Sequence, residues 1–126
     1  MKRDPQIVRK ILLEMETSEV NHFEEKLAIR GVLSKADTEQ GKQNRTRAEH
    51  IRWMMDEGLI GMVPGSDVHV RVTAKGCDFL DAVRNDKIWK RTLDKLKVVG
   101  GEASLDVIKS IASKILLSVI ESGLNQ

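Results

Sequence analysis

The chain has 126 residues, a formal net charge of +2 and a pI near 8.8, with 40% hydrophobic and 32% charged residues. That balance suits one globular domain and excludes a disordered polyampholyte, while the basicity alone falls short of announcing a nucleic-acid binder. Aromatic residues make up only 3% and Tyr is absent, so the core must come mainly from Ile, Leu, Val and Met.

Helix one is signalled by Asp4 as a cap and Pro5 at the first helical position, followed by Ile7, Val8, Ile11, Leu12 and Met15 at helical spacing. Between 17 and 43 the pattern is weak. Lys26 to Val32 fits a short strand, and the polar run Ser34 to Asn44, which contains Gly41, fits a loop or a poorly formed helix. The next helix is expected to start at Thr46, which has capping-box spacing to Glu49, and to bury Ala48, Ile51, Met54 and Met55. Gly58 stands where a left-handed C-terminal residue belongs, with Leu59 folding back on Met54.

Leu59 to Val63 and Val68 to Val72 flank the turn sequence Pro64-Gly65-Ser66-Asp67, which predicts a hairpin. Alternation sends Val68, Val70 and Val72 to one side and His69 and Arg71 to the other. A helix over 73–83 is expected to bury Phe79, Leu80 and Val83, and one over 86–98 to bury Trp89, Leu93 and Leu96. After Gly100-Gly101 a last helix from Ser104 has a wide apolar face that includes Ile108, Ile111, Ala112, Ile115, Leu116, Val119 and Ile120. Polar residues interrupt this face, so no membrane span is expected, and the N-terminus lacks the apolar stretch of a signal peptide.

The order helix, short strand, helix ending in Gly58-Leu59-Ile60, hairpin, then Thr73-x-x-Gly76-x-x-Phe79-Leu80 resembles bacterial winged-helix domains. Three further segments sharpen the likeness: Met1 to Asp4 running into Val8 to Glu14, Arg84-Asn85-Asp86 before Ile88-Trp89-Lys90, and Gly100-Gly101 before Ser104 to Lys109. Together they resemble a bacterial family, frequent in phages and prophages, that is catalogued as a domain of unknown function. The resemblance implies an α+β, mostly helical fold: a winged helix-turn-helix with a two-stranded wing over 1–83. Two extra C-terminal helices over 84–126 would pack on it. It implies no catalytic residues.

In a helix-turn-helix the N-terminal part of the recognition helix meets base edges while nearby cations hold phosphates. Residues 42–52 hold Lys42, Arg45, Arg47 and Arg52 against Glu49 alone. Arg45, Thr46, Arg47, His50 and Arg52 are therefore the expected contacts to double-stranded DNA, with His69, Arg71 and Lys75 on the wing. The wheel places Thr46, Glu49, His50, Trp53 and Glu57 outward. Trp53 on that face either packs against the chain's own C-terminal helices or, with acids around it, supports a competing reading: a winged-helix scaffold that binds a host protein. The basic run Arg84, Lys87, Lys90, Arg91, Lys95 and Lys97 reads as a solvated helix face. Ile111, Ile115 and Val119 are the expected homodimer contacts on the last helix.

Catalysis has no foothold in these residues. His22, His50 and His69 are dispersed, and neither His-Glu-x-x-His nor Cys-x-x-Cys occurs, so no metal, cofactor or enzyme activity is expected. Cys77, the only cysteine, reads as a small buried residue, excludes an internal disulfide and fits a reducing cytoplasm. The expected function is that of a small phage or prophage transcriptional regulator.

Overall fold

The computed structural model describes residues 2–17, 23–24, 39–65, 69–99 and 103–124. The fold is α+β and mostly helical: α1 (Pro5–Thr17), β1 (Phe23–Glu24), α2 (Glu39–Asp56), β2 (Ile60–Met62), β3 (His69–Val72), α3 (Ala74–Val83), α4 (Asp86–Val99) and α5 (Leu105–Leu124). It divides into two compact units, Met1–Cys77 and Asp78–Gln126, with the border inside α3. The strand expected over Lys26 to Val32, residues 34–38, the turn residues Ser66 and Asp67, Val68 and Gly100-Gly101 lie outside the described residues.

In the first unit α1 begins as its sequence dictates. The Asp4 carboxylate accepts the Gln6 amide at 2.9 Å, Pro5 opens the helix, and Val8, Ile11, Leu12 and Met15 are buried. The start of α2 differs from expectation. The helix begins at Glu39, seven residues before Thr46, so Thr46 is an interior residue and caps nothing. Side chains one turn apart support the polar extension: Gln40 Nε2 donates to Asn44 Oδ1 at 2.8 Å and Gln43 Nε2 to Glu39 Oε1 at 3.4 Å. Such i,i+4 pairs hold a helix that has no apolar period to reveal it.

α1 and α2 pack together, and the packing turns α2 away from the expected wheel. His50 is wholly buried, whereas Met55 is only half-buried. The His50 Nδ1–H donates to the Thr46 carbonyl at 2.7 Å and Nε2 accepts the Asp4 amide at 2.9 Å, so both partners specify the neutral ring with hydrogen on Nδ1. The ring meets Trp53 edge-on at 6.1 Å between centroids, and the Arg3 guanidinium lies 5.0 Å from the Trp53 ring centre. Farther along, Arg47 pairs with Glu14 at 3.0 Å. The N-terminal cap of α1 is thereby fastened to the middle of α2.

The C-terminal end of α2 is a Schellman motif. Leu59 N–H donates to Met54 O at 2.9 Å and Gly58 N–H to Met55 O at 3.0 Å, with Gly58 at φ 79°. The chain then enters a three-stranded antiparallel sheet of order β1-β3-β2. β2 and β3 align Ile60 with Val72 and Met62 with Val70, while Phe23 pairs with Val70 across the other edge. β1 is two residues long, too short for an alternation that sequence could reveal. Val70 is buried and Arg71 exposed, as alternation requires, while His69 and Val72 are both half-buried.

Thr73 joins this sheet to α3. Its amide donates to Leu59 O at 3.0 Å, its hydroxyl donates to Gly58 O, and the same oxygen accepts the Gly76 amide at 3.1 Å. The first turn of α3 therefore lies directly on the end of α2. A Cβ at Gly76 would collide with the Leu59 carbonyl oxygen and with Val72 Cγ1. The neighbouring Cys77 is exposed, which corrects the expectation of a buried thiol; the inner side of this turn belongs to Gly76.

In the second unit Phe79, Leu80, Ala82 and Val83 of α3 are buried, as their spacing predicts. α4 and α5 pack on each other. α4 buries Ile88, Trp89 and Thr92, whose hydroxyl donates to the Ile88 carbonyl at 2.8 Å, while Leu93 and Leu96 are half-buried rather than buried. Ser104 caps α5 through the Val107 amide at 3.2 Å, and Leu105, Ile108, Ala112 and Ile115 form its buried face.

Gly76 generates a direct test. Gly76→Ala should lower stability by at least about 2 kcal/mol, because the added carbon meets backbone. Gly123→Ala, where nothing lies within 4 Å, should change it by less than about 1 kcal/mol. Urea midpoints measure both, and an unchanged midpoint for Gly76→Ala would refute the close approach.

Candidate nucleic-acid interface

Most of the exposed charged residues of α2 share one face as a stripe, while Glu39, Gln40 and Gln43 of its first turns are exposed on other sides. Lys42, Arg45, Arg52 and Asp56 are exposed, with Glu49 half-buried among them. At 100° per residue these positions fall on one arc of the helix. Three cations face two carboxylates, and the cations predominate over the N-terminal half of the stripe. The stripe is turned by roughly 80° from the outward face expected from sequence.

The rotation sorts the expected DNA contacts. Arg45 and Arg52 are exposed and share the stripe. Thr46 is half-buried, and its carbonyl is engaged by His50. Arg47 is half-buried and held by Glu14. His50 is corrected from a surface donor to a buried residue that fastens α1, with both ring nitrogens engaged. On the hairpin Arg71 is exposed, His69 is half-buried, and Lys75 is exposed on the first turn of α3. α2 packs on β2, and β2 pairs with β3, so stripe and hairpin belong to one unit.

Lys42 belongs to the basic grouping read from the sequence but not to the expected contacts, because the polar run before Thr46 does not read as helix. Once α2 starts at Glu39, the register i, i+3, i+7, i+10 places Lys42, Arg45, Glu49 and Arg52 together. A groove of about 540 Å³ runs between α1 and this half of α2, and its walls include Lys10, Lys42, Gln43 and Asn44.

The expected protein-binding residues are also redistributed. Trp53 is only 5% exposed, so it is packed and not the free surface contact that the protein-binding reading needs. Its indole Nε1 has no hydrogen-bond partner among the described residues. On α5, Ile115 is buried and Ile111 half-buried, which removes the first from a free surface; Val119 is 45% exposed. The exposed apolar residues of α5 are instead Val107, Leu117, Val119 and Ile120. Among the described residues no group of His, Cys, Asp and Glu could hold a metal ion, and no helix is long and apolar enough to cross a membrane.

An uncharacterized protein of Haemophilus influenzae (strain ATCC 51907 / DSM 11121 / KW20 / Rd) is 28% identical over 126 residues, spanning 95% of this chain and 99% of that protein. No solved structure matches the chain. The model of one protein family, described as "Hypothetical protein (DUF2513)", matches residues 2–102, which takes in α1 through α4 and all of the candidate surface on α2 and the hairpin. The chain belongs to that family.

Proposed function

We propose that this chain is a winged-helix DNA-binding protein, a small transcriptional regulator of phage or prophage type. The observation that carries the reading is the solvent stripe Lys42, Arg45 and Arg52 on the helix that runs directly into a β-hairpin bearing exposed Arg71. Helix, short strand, helix and hairpin follow in winged-helix order, and the short strand closes the sheet beside β3. A helix face with cations at intervals of one to two turns suits phosphates, with base edges reached by long side chains from the same face.

The rotated helix revises the contact set. Lys42, Arg45, Arg52 and Arg71 are assigned to DNA, while His50 is assigned to the fold and Arg47 to Glu14. The competing reading, a module that binds a host protein through Trp53, loses its anchor with the burial of that ring.

Self-association is the second part of the proposal. Leu117 and Ile120 lie one turn apart on α5, 55% and 49% exposed. A two-fold pairing through this helix would cover them and supply the second half-site reader that dimeric regulators use.

Both parts can be measured separately. Arg45→Gln with Arg52→Gln should weaken binding to random duplex DNA and reduce the slope of log K against log salt by about 2, at roughly 0.9 for each phosphate no longer neutralised. An unchanged slope removes α2 from the DNA surface. Sedimentation equilibrium should give a dimer that Leu117→Glu converts to monomer, whereas a parent protein that stays monomeric at tens of micromolar, on the order of ordinary micromolar affinities, contradicts the pairing.

A further inference from the structure

Among the described helices α4 carries the largest net charge. The helix has Lys87, Lys90, Arg91, Lys95 and Lys97 against Asp86 and Asp94, a local balance of +3 in a chain whose total is +2. All five cations are exposed. Helical geometry gathers them on an arc of about 160°, opposite the buried Ile88, Trp89 and Thr92, and spreads them over about 15 Å of helix axis. Asp94 is the one acid inside the arc, while Asp86 sits at the N-terminal end where it suits the helix dipole.

We infer that this face of α4 is a sequence-independent binding surface for the phosphate backbone of duplex nucleic acid. A duplex presents a charge about every 1.7 Å along its axis, so a row of flexible cations finds partners at any register. The bare cationic character favours this occupant over others. A helix that lies on a lipid surface exposes large apolar residues toward the bilayer. Here Trp89 and Ile88 are buried, and the exposed apolar residues are Val98 and Val99 at the far C-terminal end. Protein interfaces are anchored by aromatic residues in desolvated pockets, and the arc has none. The surface belongs to the second unit and does not depend on the assignment made for α2.

Salt titrations of binding to a random duplex, with three variants beside the parent protein, test it. The parent should bind. Lys87→Gln, Lys90→Gln, Arg91→Gln and Lys95→Gln combined should weaken binding at 50 mM salt by about tenfold or more, with a salt slope reduced by about 3.6. Lys87→Arg, Lys90→Arg and Lys95→Arg combined should keep the parent slope, since charge rather than shape is read. The α2 double variant should retain the part of the slope that α4 supplies. A glutamine variant with parent affinity and slope overturns the inference, whatever α2 does. So does a parent that ignores duplex DNA at low salt, or one that binds phosphatidylserine vesicles in its place. Circular dichroism checks that the exposed substitutions leave the helices intact.

Discussion

Thr73 is the point on which the first unit turns. One residue closes three elements: its amide reaches Leu59 O, its hydroxyl reaches Gly58 O, and the same oxygen receives the amide of Gly76. Leu59 is itself the last residue of the Schellman motif that ends α2. The end of one helix, the start of a strand and the cap of the next helix thus share one small hydrogen-bonded knot. Its backbone groups lie beside the buried Leu59 and Ile60, where an unpaired donor or acceptor would cost about 1–3 kcal/mol. The angle at which α2 meets the hairpin follows from this junction, and with it the side on which Arg45, Arg52 and Arg71 stand.

The second constraint is the fastening of α1 to α2. His50 offers one donor and one acceptor, and the Thr46 carbonyl and Asp4 amide use both. Trp53, Arg3 and the Arg47–Glu14 pair extend the packing along the helices. Its functional consequence is subtractive. Residues that look like recognition groups in the sequence are consumed by packing, and the surface left to a ligand is the narrower stripe beside them. A partly exposed ion pair such as Arg47–Glu14 adds only about 1 kcal/mol or less, so its role is to set the position of α2 more than its stability.

Punctuation makes much of this legible in the sequence. Asp4-Pro5, Glu57-Gly58-Leu59, Pro64-Gly65, Thr73-x-x-Gly76 and Ser104 each fix a local backbone event through a side chain or a missing one, and the helix ends and the hairpin appear where they stand. Strong periodicity serves equally well for Val8 to Met15 and for Phe79 to Val83. The failures that bear on the candidate surface lie in α2. Glu39 to Asn44 is helical through polar i,i+4 pairs, which leave no hydrophobic period. Without that start, Ala48, Ile51 and Met55 alone define the inner face of α2, and they put His50 and Trp53 on the outward face. Burial of a His with both nitrogens satisfied depends on Asp4, 46 residues away, and no local pattern announces it. The basic face of α4 is visible as a run of cations; its confinement to one arc follows only from the side that Trp89 and Ile88 bury.

The family match covers residues 2–102 and takes in α2 and the hairpin. Whether the cationic stripe of α2 and the neighbouring hairpin form a DNA surface is addressed most directly by amide chemical-shift mapping during titration with a short random duplex. Perturbations should concentrate at Lys42, Arg45, Arg52 and Arg71, with the Gly76 and Leu59 amides of the junction unmoved. A duplex that shifts none of these four, or perturbs only the apolar face of α5, would contradict a DNA surface on this unit.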